Sequence, residues 1–175
     1  MADVFLGLGS NLGDKTNNIR EALGLIVKSG EIKLVDVSSL YETVPVGVTN
    51  QPEFINCAAR VETDLDPHSL LNTLQAIELA MGRKPNTHLR PRPIDIDILL
   101  YDDIDLESLE LVIPHSRLKS RRFALEPLLE IEPEASDPVS GKPLKEFLED
   151  VASQKVKQVA TSGEVWNGPG RPTEA

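Results

Sequence analysis

Residues 94–101 read IDIDILLY, with Arg90 and Arg92 just upstream in RPRP. Successive side chains of a strand point to opposite faces, so Ile94, Ile96 and Ile98 turn toward a core while Asp95 and Asp97 lie together on the other face. Two such carboxylates have Cα atoms ~7 Å apart, and leaving them unpaired costs Coulomb energy. A fold for this chain must bury one sheet face and leave the second accessible at this strand.

The remaining elements fit that demand. A first strand, Val4 to Leu8, runs into the glycine-rich turn GLGSNLGD. That turn lacks the Lys and Ser/Thr spacing of a phosphate loop, and Gly7, Gly9 and Gly13 do not form a dinucleotide fingerprint, so it reads as structural. Ile19, Ala22, Leu23, Ile26 and Val27 repeat at helical spacing, with Asn11 or Asp14 as caps and Gly30 as the stop. Ile32 to Tyr41 reads as a second strand and Phe54 to Thr63 as a third. In the third, Ile55, Cys57, Ala59 and Val61 share the core face and Phe54 and Asn56 the opposite one. Asp66-Pro67 begins a second helix whose buried stripe is Leu70, Leu74, Ile77 and Met81, ended by Gly82. Gln75 and Glu78 sit together at the border of that stripe.

After the aspartate strand come a helical stretch at 123–131 and a final amphipathic helix carrying Leu144, Phe147, Leu148 and Val151. From Ser162 on, periodicity is lost and Gly and Pro accumulate, which predicts a mobile tail over 161–175 behind a single domain at 1–160. The order strand, helix, strand, strand, helix, strand predicts an α+β, ferredoxin-like sandwich. Its helices cover one sheet face, further helices are appended at the C-terminal end, and the second face stays free.

A net charge of −10 argues against nucleic acid or an anionic membrane as partner. Against that background, Arg83, Lys84, Arg90 and Arg92 cluster before the aspartates, and Arg117, Lys119, Arg121 and Arg122 after them, as expected of a chain that holds a small anion. No apolar run approaches the ~20 residues of a membrane span, and MADVFLGLGSN lacks the pattern of a secretory signal. Cys57 is alone, so it forms no internal disulfide and reads as a small core residue of a cytoplasmic protein. His68, His88 and His115 have no metal-ligand spacing. Paired carboxylates beside arginines instead suit Mg²⁺ with substrate phosphates, because Mg²⁺ takes few protein carboxylates and arginines hold the remaining phosphate oxygens.

The blocks GLGSNLGD, SSLYETVPVG, QPEFINCA, LLNTLQAIELAMGR, RPRPIDIDILLY and IPHSRLKSRRFALEPLLEI occur in an order that resembles the 6-hydroxymethyl-7,8-dihydropterin pyrophosphokinases of folate biosynthesis, over roughly residues 1–150. The resemblance implies transfer of pyrophosphate from ATP to the pterin hydroxymethyl group with release of AMP, on a ferredoxin-like fold. It implies two Mg²⁺ ions on Asp95 and Asp97, and catalytic-loop roles for Arg83 and Arg92. Gln75, Glu78, Ile98, Leu111, His115, Lys119 and Arg121 correspond to positions around ATP. Thr43, Val44, Val46, Phe54, Asn56 and Phe123 correspond to the pterin pocket, with rings stacking on the pterin and Asn56 reading its edge.

The chain departs from the family's usual Arg-Trp-Gly-Pro-Arg loop, reading HLRPR, with Leu89 in the tryptophan position and Arg90 in that of glycine. Three rival readings are a catalytically weakened pterin- and nucleotide-binding relative, a two-metal nucleotidyltransferase, and a small-molecule sensor of ferredoxin-like fold in which the acidic strand is solvated and nothing is turned over. A monomer suits a sheet face given over to substrates.

Overall fold

A computed structural model describes residues 1–43, 52–84 and 91–168. Val44, Val46, His88, Leu89 and Arg90 lie outside the described residues. The first half of the chain runs β1 (Ala2–Ser10), α1 (Lys15–Lys28), β2 (Ile32–Val37), β3 (Leu40–Thr43), β4 (Phe54–Thr63) and α2 (Pro67–Ala80). The second half runs β5 (Asp95–Tyr101), β6 (Leu106–Glu107), β7 (Val112–Ile113), α3 (Arg122–Ile131), β8 (Val156–Ala160) and α4 (Ser162–Val165). The main sheet is ordered β5-β1-β4-β3-β8, with β2 also on β4, and its pairs are antiparallel. The order β5-β1-β4-β2/β3 is that of the expected ferredoxin-like α+β plan.

Local chemistry sets the element ends. The Asp14 side chain accepts from the Asn17 N–H and caps α1, and Asp66 does the same for α2 from the Ser69 N–H, with Pro67 at the first helical position. Gly82 stops α2 at φ +91°, a conformation that favours glycine.

Two apolar layers flank the sheet. One lies under α1 and α2 and takes Ile55, Cys57, Ala59 and Val61 from β4 and Ile94, Ile96 and Ile98 from in and around β5. The other takes Phe5, Ala58, Leu99 and Leu100 from the sheet, and Leu118, Leu125 and Leu128 from the segments that cross it. At ~1.5–3 kcal/mol per buried aliphatic side chain, both layers contribute to holding the sheet. The second sheet face is therefore half covered rather than free. The segment that begins at Leu118 and continues through α3 lies over the end bearing Phe5 and Leu99, and the end bearing Asp95, Asp97, Phe54 and Asn56 stays accessible.

Other details differ from the sequence reading. β1 does not turn at its glycines; it continues through Gly7 and Gly9 to Ser10. The strand expected over 32–41 is broken at Ser38 and Ser39, whose polar groups are used sideways: Ser38 Oγ accepts from the Ala58 N–H, and the Ser39 N–H donates to Glu130. The last amphipathic helix is a 3-10 segment, Leu144–Val151, with Leu144 and Val151 buried. The tail expected from residue 161 is packed as far as it is described. Val165 is 1% exposed in the first apolar layer, Trp166 packs against that layer, and Arg20 donates to the carbonyls of Glu164 and Val165.

Candidate active site

The accessible half of the sheet face is built from the ends of three adjacent strands. Register places Gly9 of β1 between Asn56 of β4 and Asp95 of β5, and Gly7 between Ala58 and Asp97. The aspartate pair and the Phe54/Asn56 pair thus face the same way across a central strand that carries only hydrogen there. Arg92 joins the two sides: its guanidinium lies 5.1 Å from the Phe54 ring centroid and 3.5 Å from Asp95 Oδ2. The start of β5 is held by Asn11, fully buried, whose Oδ1 accepts from the Arg92 N–H (2.8 Å) while its own N–H donates to the Arg92 carbonyl (3.2 Å).

The end of α2 supplies the next shell. With Gly82 turning the chain, the Arg83 N–H donates to the Glu78 carbonyl, and its guanidinium reaches both the Glu78 carboxylate and Asp95 Oδ1 (2.7 Å). Glu78 Oε2 also accepts from the Ile96 N–H at 3.0 Å, so one buried carboxylate ties helix, strand and arginine together. Burial pushes Glu78 above the usual carboxylate range, although the Ile96 N–H and Arg83 pull the other way.

Asp97 is the most perturbed carboxylate of the site. Desolvation in the cleft, followed by the charges of Asp95 and Glu78, holds it above its ordinary value although its side chain is still 38% exposed, and Arg121 and Arg83 only partly offset this. A carboxylate in that condition gains from a cation. His115 faces it with Nε2 4.0 Å from Asp97 Oδ2. The Arg117 N–H donates to His115 Nδ1 at 3.1 Å, which leaves the ring proton of the neutral imidazole on Nε2, toward the aspartate. Burial and the Arg121 charge lower the His115 pKa, so the ring is neutral near pH 7.

Beside the aspartates lies a cleft of about 580 Å³ lined by Gln75, Glu78, Arg83, Ile98, Leu111 and His115 among others. Six of the residues assigned from sequence to ATP or to catalysis therefore share one cavity with Asp95 and Asp97. Leu79 and Leu109 also line it while being 60% and 102% exposed, and the sequence reading missed both. The available signal was Leu79 itself, an apolar residue of α2 outside the buried stripe.

Other assigned residues lie elsewhere on the face. The Asn56 Nδ2 donates to Thr43 Oγ1 (3.1 Å), and both side chains are buried, so the amide orientation is fixed. Phe123 stands in the first turn of α3 with the Arg121 guanidinium 5.4 Å from its ring centroid. Lys119 is not brought to the aspartates: its ammonium binds buried Asp137 at 3.2 Å and lies over Phe147.

Among the described residues no group of three or more His, Cys, Asp and Glu side chains could hold a metal alone. Two carboxylates nevertheless suit a hard cation that draws its other ligands from phosphates and water.

Comparison with known proteins gives the chain a family. The model of the family described as 7,8-dihydro-6-hydroxymethylpterin-pyrophosphokinase matches residues 5–133. The 2-amino-4-hydroxy-6-hydroxymethyldihydropteridine pyrophosphokinase of Aquifex aeolicus is 43% identical over 147 residues, covering 84% of this chain and 91% of that one. A mitochondrial folate synthesis bifunctional protein of Arabidopsis thaliana is 49% identical over 135 residues, 77% of this chain but 24% of that protein. The chain thus spans about a quarter of the length of such bifunctional relatives. The crystal structure of wild-type Plasmodium falciparum HPPK-DHPS shares the fold at a TM-score of 0.67 and 19% identity, over 87% of this chain and 45% of that one. Fold and sequence matches converge: the chain belongs to the hydroxymethyldihydropterin pyrophosphokinase family.

Proposed function

We propose that the protein transfers pyrophosphate from ATP to the hydroxymethyl group of 6-hydroxymethyl-7,8-dihydropterin, releasing AMP, as a step of folate biosynthesis. The observation that carries the reading is Arg92, which touches a ring suited to stacking and a carboxylate suited to metal and phosphate on one accessible sheet face. Phe54 and Phe123 would sandwich the pterin, Asn56 would read its hydrogen-bonding edge, and Thr43, with the chain at Val44 and Val46, would complete that side. Gln75, Ile98, Leu111 and His115 would line the nucleotide side, with Arg121 serving the phosphates and Lys119 able to join it only by leaving Asp137.

Asp95 and Asp97 fit Mg²⁺, two ions with ATP bound, and the metal would supply charge neutralisation on the bridging and leaving oxygens. The chain's own contribution is positioning and electrostatics. The hydroxymethyl oxygen attacks the β-phosphorus in line, the bond from that phosphorus to the α-bridging oxygen breaks, and AMP departs. Arg83 and Arg92, which hold Asp95 in the structure, would exchange part of that contact for the triphosphate and its developing charge. All these residues come from one chain, so a monomer suffices, and a buried lone thiol suits the cytoplasm.

Phosphorus NMR of the protein with ATP, Mg²⁺ and the pterin, run beside Asp97→Ala, tests the reading. AMP and a pterin diphosphate from the parent alone are expected. Pyrophosphate in place of AMP would establish nucleotidyl transfer instead. Intact ATP with bound pterin would point to the HLRPR loop and a weakened relative.

A further inference from the structure

Along β1 the positions that face the candidate site are Gly7 and Gly9. A Cβ at Gly7 would meet Leu99 at 3.4 Å, an ordinary contact with the second apolar layer. A Cβ at Gly9 would stand 2.7 Å from Asn56 Oδ1 and 3.5 Å from Phe54 Cδ1. The first distance is shorter than any van der Waals contact, so one of the two groups must move. Asn56 has little freedom to do so: it is 7% exposed, and its Nδ2 is held by Thr43 Oγ1, itself 5% exposed. Turning the carboxamide away from Gly9 breaks that bond and re-aims both its polar atoms.

The φ at Gly9 is not in the left-handed region, so backbone conformation does not require a glycine there. β1 would gain in strand propensity from a side chain at this position. What needs the hydrogen is the neighbouring amide. Asp95, Gly9 and Asn56 also form one cross-strand row. Antiparallel neighbours lie ~4.5–5.5 Å apart, which puts the metal-side carboxylate and the amide on backbones ~10 Å apart with no side chain between them.

We propose that Gly9 is a positioning residue for pterin recognition. Its missing Cβ lets the Asn56 carboxamide lie flat over the central strand in the one orientation that Thr43 fixes, and that orientation selects the donor and acceptor pattern of the pterin edge. The proposal rests on the pyrophosphokinase reading.

The test is a fluorescence titration of 6-hydroxymethyl-7,8-dihydropterin into the Mg²⁺ complex of a non-hydrolysable ATP analogue. Parent, Gly9→Ala, Asn56→Ala and the double variant are compared, with Gly24→Ala on α1, where a Cβ meets nothing within 4 Å, as the matched control. Gly9→Ala should raise the pterin Kd by about tenfold or more, the scale of one misaligned polar contact to a ligand. The analogue's own Kd should stay at the parent value, and the melting temperature should fall no further than it does in Asn56→Ala, which loses the same buried bond to Thr43. In the Asn56→Ala background, adding Gly9→Ala should change the pterin Kd by less than about twofold, because the amide through which it acts is gone.

Unchanged pterin affinity in Gly9→Ala overturns the inference while leaving the function standing, and so does an effect that persists without Asn56. Loss of pterin, nucleotide and thermal stability together would show a merely structural role and also overturn it. A parent that takes up the analogue but no pterin overturns the functional reading and the inference with it.

Discussion

Arg83 and Glu78 show how a side chain can serve both stability and chemistry. Glu78 is 7% exposed, and Arg83 and the Ile96 N–H offset part of the cost of burying its carboxylate. Arg83→Ala should cost about 1–3 kcal/mol in urea melts, because a buried acceptor loses its partner. It should also lower kcat/KM by on the order of a hundredfold, as the triphosphate loses a donor. Arg83→Lys should recover more of the stability than of the rate, since a point charge does not reproduce the guanidinium fork. A second residue-scale effect is alkaline. Burial, and then the Glu130 charge, push the Cys57 thiol from 9.0 up to about 12, and Tyr41 is raised by burial and by its bond to Glu130. Above pH 9 the unfolded chain releases protons that the folded one keeps. Stability should therefore fall with rising pH, by up to about 1.4 kcal/mol per unit for each group. Urea melts at pH 8 to 11 should show that slope, and Cys57→Ala should remove its own share.

At the scale of elements, one carboxylate of α3 gathers three donors at the β2–β3 break and on β3. Glu130 accepts from the Ser39 N–H at 2.8 Å, from Ser39 Oγ at 3.1 Å and from the Tyr41 hydroxyl. Glu130→Ala strands these donors and should destabilise by about 2–4 kcal/mol, against about 1 kcal/mol for Tyr41→Phe, both read from denaturant midpoints. Strands and helices with a buried face were legible because alternation in 94–101 and the stripe Leu70, Leu74 and Ile77 carry their period openly. β8 was not: VKQVA is an edge strand whose Lys157, Gln158 and Val159 face solvent, and only its pairing with β3 reveals it. The Ser38–Ser39 break was equally hidden, since it depends on Ala58 and Glu130, far away in sequence. The candidate site was legible where charge, aromaticity or strand alternation marked it, as at Asp95 and Asp97, at Phe54, and at Asn56. It was illegible at Asn11, which acts through the backbone of a residue 81 positions on, and at Gly9, where what matters is a missing atom.

At the scale of the whole molecule, one sheet face does two things: its Leu99 end carries a core, and its Asp97 end carries the candidate site. A ligand held at the Asp97 end, between α2 and β5, should therefore stabilise the sheet as a whole. Mg²⁺ with a non-hydrolysable ATP analogue at a hundred times its Kd should add about 2.7 kcal/mol to unfolding. Asp97→Asn should show little of that gain in matched melts. The position of β1 carries a further consequence, for folding kinetics. The first strand of the chain lies in the middle of the sheet, and Val4 pairs with Val61 on one side and Tyr101 on the other. At a synthesis rate of ~5–20 residues per second, β1 waits several seconds for both partners to be made. Loops of that length close late and slow the folding of two-state domains. The strand that floors the candidate site thus completes its pairing only after Tyr101 has been made, so the nascent protein is most exposed to misassembly before the site takes shape.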